Sequence, residues 1–166
     1  MTGMTHRERV LTALGHNEPD RVPIDLGASR SSSIILPAYE NLKKYLGLEH
    51  RTRLVAKRQR LVYPDEEILH KFDVDLRPLM LGDFKRKPSI EIDSDTIVDA
   101  WGTTWKKAPA GHYITVKGAF QDCEPTVEML DTFEWPDPDD PGLFEGLKDQ
   151  SEFLRKHTDY AIVLNL

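Results

Sequence analysis

The sequence is short of the features that mark most specialised chemistries. It holds a single cysteine, Cys123, which excludes an internal disulfide and any CxxC metal or redox motif. A lone cysteine reads as a small buried hydrophobe rather than a nucleophile. No apolar run approaches the ~20 residues of a membrane span, and "MTGMTHRERVL" lacks the apolar core of a secretory signal. A basic excess is also missing. The 22 Lys and Arg against 28 Asp and Glu give a formal charge of −6, which argues against general nucleic-acid binding. What remains is a charged, 166-residue chain with the length of one ordinary domain, expected in the cytoplasm.

Local signals are plentiful. Thr5 and Glu8 have the spacing of a capping box, and Val10, Leu11 and Leu14 follow on one helical stripe. In "HNEPDRVPIDLG" two prolines forbid a helix interior, and Val22, Ile24 and Leu26 alternate as an extended segment ending at Gly27. "LPAYENLKKYLG" reads as a helix with Pro37 in its first turn, Leu42, Tyr45 and Leu46 inward, and Gly47 as its cap. The basic stretch 51–60 reads as a solvated face flanking Leu54, Val55 and Leu61 rather than a phosphate site. "DEEILHKF" predicts a short helix with Ile68, Leu69 and Phe72 inward. It leads into a strand, "DVDLRPLML", whose start Asp75 is expected to shape.

The texture then changes. Residues 89–117 alternate, carry β-branched side chains and contain the turn signals Asp93-Ser94-Asp95 and Pro109-Ala110-Gly111, the pattern of antiparallel hairpins. Trp101 and Trp105 flank "GTT" there and are expected to pack the hairpins. "EPTVEMLDTF" gives a short helix, and the prolines of "EWPDPDDPG" make a rigid connector. Asp140 and Pro141 are a natural cap and first helical residue. One helix should then run to His157 with Leu143, Leu147 and Leu154 on a stripe. His16 and His157 lie at helix ends, where capping is the expected role. The apolar run 160–164 predicts a strand covered on both faces, as in a parallel sheet. A strand, a crossover and a second apolar strand begin a β/α repeat, and two such strands do not finish a domain.

"THRERVLTALGHNEPDRVPIDLG", "DAWGTTWKK" and "WPDPDDP", in that order, resemble the amino-terminal portion of the uroporphyrinogen decarboxylase superfamily. That superfamily also holds corrinoid-dependent methyltransferases acting on methanol, methylamines, methyl halides or aryl methyl ethers. The resemblance runs from about Thr5 to the carboxyl end. It implies an α/β fold, the first part of a (β/α)8 TIM barrel of roughly twice this length. On that reading 1–72 is an amino-terminal helical segment, 73–83 the first barrel strand, 84–136 a hairpin insertion and connector, and 137–166 a helix and second strand. The remaining strands would lie outside this sequence.

The resemblance also implies sites. Arg30 stands near the first of two arginines with which the decarboxylase branch holds substrate carboxylates, but the second is replaced here. Asp83 is the candidate catalytic acid after the first strand, one residue out of register and without the branch's Phe-Ser-Asp surroundings. Both departures favour the methyltransferase-like branch. Asp25, before Gly27, and Asn165, directly after the second strand, are candidate substrate contacts alongside Arg30. The methyltransferase-like branch binds zinc through a His-x-Cys pair and a later Cys in its carboxyl-terminal half, and nothing in this chain replaces them. The resemblance therefore implies zinc and a corrinoid protein for the whole enzyme and no cofactor held by this chain. Its implied partners are a small-molecule substrate, a corrinoid protein and a second copy in a homo-oligomer, with neither nucleic acid nor membrane. Alone, the chain is expected to be inactive. A true uroporphyrinogen decarboxylase, or a non-enzymatic short chain that binds a full-length relative through an open strand edge, are the alternatives.

Overall fold

The computed structural model describes residues 3–49, 51–56 and 58–165. The chain is α/β and divides into two compact units, one running to Leu81 and resuming at Gly146, the other Gly82–Glu145.

The first unit opens with α1 (His6–Leu14), started by the Thr5/Glu8 capping box. Each partner satisfies an amide that the first turn leaves open. Of the expected stripe only Val10 is buried; Leu11 and Leu14 are exposed. His16 closes the helix through its backbone N–H to Ala13 O, in the left-handed region, rather than through its ring. In α2 (Leu36–Leu46) Pro37 sits in the first turn and Gly47, at φ 69°, caps the end. The buried aromatic is Tyr39, while Tyr45 points to solvent at 87% exposure. The choice follows from hydrogen bonding, because the Tyr39 hydroxyl donates to Asp65 Oδ2 (2.6 Å) and accepts from Asp65 N (2.7 Å), so burial leaves its polar end satisfied. Leu42 and Leu46 pack beside it with Val62 and Ile68.

The basic stretch forms a bulged antiparallel hairpin of β1 (Arg53–Ala56) and β2 (Leu61–Tyr63). Arg51 and Arg53 lie exposed there, as the sequence suggests; Lys57 lies outside the described residues, as does His50. Helix α3 (Glu66–Lys71) buries Ile68 and Leu69 but leaves Phe72 at its carboxyl cap 42% exposed.

β3 (Leu76–Met80) and β8 (Ala161–Asn165) are parallel neighbours, in register from Leu76 opposite Ala161 to Met80 opposite Asn165. Pro78 takes one donor out of β3. α6 (Leu147–His157) packs against both strands, and α1 against β8. Ala161 is buried, yet Leu164 is 51% exposed, so β8 is not covered on both faces within this structure.

The second unit is built on an antiparallel meander, β4 (Ile90–Asp93), β5 (Thr96–Val98), β6 (Thr104–Lys107) and β7 (Tyr113–Lys117), in sequential order. Asp93 Oδ1 closes the first turn on Asp95 N, and Gly111 takes φ 88° in the third. Phe84, Trp101, Phe120, Phe133 and Trp135 make a chain of ring contacts at 4.6–6.4 Å, and Trp105 donates its indole N–H to Asp99. Then come α4 (Val127–Thr132) and α5 (Pro141–Phe144), the latter capped by Asp140. The single helix expected from Pro141 to His157 is two. Gly146 at φ 74° breaks it, a conformation that costs glycine little and other residues about 1 kcal/mol or more.

Candidate functional site

The candidate residues of the first unit stay apart. Asp25 is exposed and its Oδ1 accepts from Ala28 N at 3.0 Å. That closes the turn which Gly27 completes at φ 87°. Arg30 follows in the serine loop, exposed and with no ion pair among the described residues. Asn165 ends β8 and lays its amide on Met80 Sδ at 3.2 Å across the parallel pair. No hydrogen bond or ion pair joins Asp25, Arg30 and Asn165.

The strongest charge cluster of this unit lies at the opposite end of the strands. Asp75, fully buried just ahead of β3, accepts from His6 Nδ1 (2.8 Å), Arg9 Nη1 (2.6 Å), Arg21 Nη1 (2.7 Å) and Ile24 N (2.7 Å). Burial by itself would raise the carboxyl pKa. The Ile24 amide, Arg21, His6 and Arg9 outweigh it and hold the group at about 2. Asp20 takes Arg9 from the other side, and Arg21 also reaches Asp73. The hydrogen bond from Arg9 brings Asp20 to about 2 as well. This hub ties α1, the 20–24 segment and β3 together, which makes Asp75 an organiser of the strand start, as expected. The signal for its partners in the sequence is the basic side chains at His6, Arg9 and Arg21.

Beside it, the buried Arg77 stacks its guanidinium 3.6 Å from the centre of the Tyr160 ring, and its N–H groups go to Glu66 and to the carbonyls of Val74 and Leu76. The Tyr160 hydroxyl meets His70 Nδ1 at 3.1 Å, and burial pushes its phenol pKa up. These groups line an open cleft of about 790 Å³ with Arg7 and α6. Arg7 is likewise spent, on the carbonyls of Thr158 and Tyr160. His157 lays its ring on Phe153 rather than capping α6. The cleft sits at the amino-terminal ends of β3 and β8.

In the second unit Asp83 is exposed, and its carboxylate makes no hydrogen bond or ion pair among the described residues. The backbone around it is tightly held. Gly82 N donates to Leu143 O at 3.0 Å. A Cβ on Gly82 would lie 2.1 Å from Gly142 O, and one on Gly142 would lie 2.3 Å from Asp83 O. The buried Asp140 carboxylate accepts from Gly142 N (2.8 Å), Lys85 N (3.1 Å) and Arg86 N (2.7 Å). Its capping role was legible from Asp140-Pro141. Its grip on residues 85 and 86 was not, because that contact spans more than fifty residues; the facing glycines at 82 and 142 were the available hint.

Among the described residues no three His, Cys, Asp or Glu side chains converge on a metal position. Cys123 is exposed rather than buried, its Sγ 3.7 Å from Phe120 O in a turn too short to cover it. The described residues offer a zinc ion no ligand set. No helix among the described residues is long and apolar enough to cross a membrane. No family model, no curated protein and no solved structure matches the chain.

Proposed function

We propose that the chain is the amino-terminal part of a uroporphyrinogen decarboxylase-superfamily barrel enzyme, of the corrinoid-linked methyltransferase-like branch, acting on a small methylated substrate in the cytoplasm. One observation carries the reading: β3 and β8 are parallel, adjacent and in register, with the intervening chain returning through α6 onto both. That is the unit from which a barrel is repeated. Asn165 stands at the carboxyl-terminal end of this pair, and Asp83 follows β3 by three residues, where barrel loops place chemistry. Arg30 has no ion pair among the described residues and suits an anionic substrate group. Asp25, committed to its turn, shapes the loop that carries Arg30.

Because Asp25, Arg30 and Asn165 do not converge, the chain alone is expected to have no turnover. The non-enzymatic alternative draws on β8 pairing with β3 alone among the described residues, which leaves a strand edge for a full-length relative. The test uses the product translated from the complete reading frame. It is assayed for methyl transfer from methylcobalamin to a small thiol, followed in the visible spectrum of the corrinoid, and in parallel for decarboxylation of uroporphyrinogen. Methyl transfer without decarboxylation is the expected result. Decarboxylation alone would move the chain to the other branch, and neither activity, with a stable complex formed on a purified full-length relative, would make it a binding partner.

A further inference from the structure

We infer that Asp140 is a positioning residue for Asp83: its buried carboxylate, through the amides of Lys85 and Arg86, fixes the loop that presents the Asp83 side chain. The inference rests on the proposed reading in which Asp83 faces substrate.

The loop is held from both sides of Asp83. Before it, Gly82 is bonded to Leu143 and pressed so close to Gly142 that neither residue has room for a Cβ. After it, the amides of Lys85 and Arg86 end on Asp140. Those acceptor contacts, with Gly142 N, outweigh the burial that would raise the Asp140 pKa and keep it low, so the clamp stays ionised near neutrality. It grips main chain, which moves far less than side chains do. The neighbouring side chains have structural partners: Phe84 meets Trp101 edge-on, Lys85 pairs with Glu145, and Arg86 with Asp137. Asp83 has none. A carboxylate without a protein partner, carried on a loop pinned on both sides, has the arrangement of a group held ready for something else.

The experiment uses the complete gene product and steady-state kinetics of Asp83→Ala, Asp140→Asn, Gly142→Ala and the double variants with Asp83→Ala. Asn at 140 keeps the shape but turns an amide N–H₂ toward backbone donors. Ala at 142 pushes on the Asp83 carbonyl and the Lys85 side chain and crowds Asp140 Oδ1 at 3.1 Å while keeping the Asp140 charge, and so stands in should Asp140→Asn fail to fold. Each is expected to lower kcat on the order of a hundredfold, the effect of roughly 1 Å of misplacement, with KM near that of the parent. Neither should slow the enzyme further once Asp83 is Ala. Amide exchange at Lys85 and Arg86 should rise in Asp140→Asn. Losses that add to that of Asp83→Ala, or full activity in Asp140→Asn despite faster exchange, would overturn the positioning role. Full activity in Asp83→Ala would instead remove Asp83 from the site, and a wild-type product with neither activity would remove the reading and this inference together.

Discussion

Replacing Asp75 by Asn tests whether one buried carboxylate organises the first unit. At neutral pH it receives His6, Arg9, Arg21 and the Ile24 amide, all of them presenting hydrogens. Asn supplies one acceptor and turns an N–H₂ toward that array, leaving the buried Arg9 without part of its counter-charge. Removing one partner of a buried pair costs about 3–5 kcal/mol. Because Arg9 keeps Asp20 and Arg21 keeps Asp73, the lower end, about 3 kcal/mol, is expected. The pKa gives a separate figure. A shift from 3.8 to about 2 corresponds to about 2 kcal/mol at 1.36 kcal/mol per unit. Its sign follows from a depressed pKa. The contribution is fully present above the unfolded value of 3.8 and is lost as pH falls toward 2. Tryptophans 101, 105 and 135 all lie in the second unit, so the first is followed by helix circular dichroism in urea. With a slope of roughly 2 kcal/mol per molar, the midpoint should fall by about 1.5 M at pH 7. The difference between wild type and variant should narrow between pH 4 and 2. A pH 7 midpoint within about 0.3 M of wild type, roughly half a kcal/mol on that slope, would show that the hub is not structural.

Two further substitutions probe single contacts by the same urea titration. Tyr39→Phe removes the hydroxyl that donates to Asp65 and satisfies its amide at the start of α3, and should cost about 1–2 kcal/mol. Gly146→Ala meets no atom within 4 Å, so its cost of about 1 kcal/mol should be backbone strain alone. A neutral result would mean that α5 and α6 can join into the continuous helix that the leucine periodicity favours.

What was legible in the sequence was local or periodic. The Thr5/Glu8 box, the Gly47 cap, Asp140-Pro141 and the hairpin turns each place cause and effect within a few residues, and the structure has all of them. The α/β class followed from the order of a strand, a crossover and a second apolar strand. Misreadings came where two local solutions were nearly equal. Leu143, Leu147 and Leu154 keep helical spacing straight through Gly146, and an interior glycine costs only about 1 kcal/mol, too little to mark a break. Tyr39 and Tyr45 both suit α2, and only the distant Asp65 decides between them.

The parts of the candidate site divide along the same line. Asp25, expected as a substrate contact, acts on its own turn, three residues away. The Asp75 hub gathers His6, Arg9 and Arg21 from 54 to 69 residues off, and the Asp140 clamp reaches back 54 and 55. Neither leaves a period or a motif. Both nevertheless obey one rule that a sequence does contain: an acid can be fully buried only if donors are brought to it. Asp75 and Asp140 are 0% exposed; the donors that meet Asp75 come from α1 and the 20–24 segment, and those that meet Asp140 are the amides of Lys85, Arg86 and Gly142. The hub fixes where that strand begins; the clamp fixes the loop that follows it. The same parallel strand is therefore anchored at its start by side-chain cations and continued into a loop held by backbone amides. Asp83, between the clamped residues, keeps a carboxylate with no partner among the described residues.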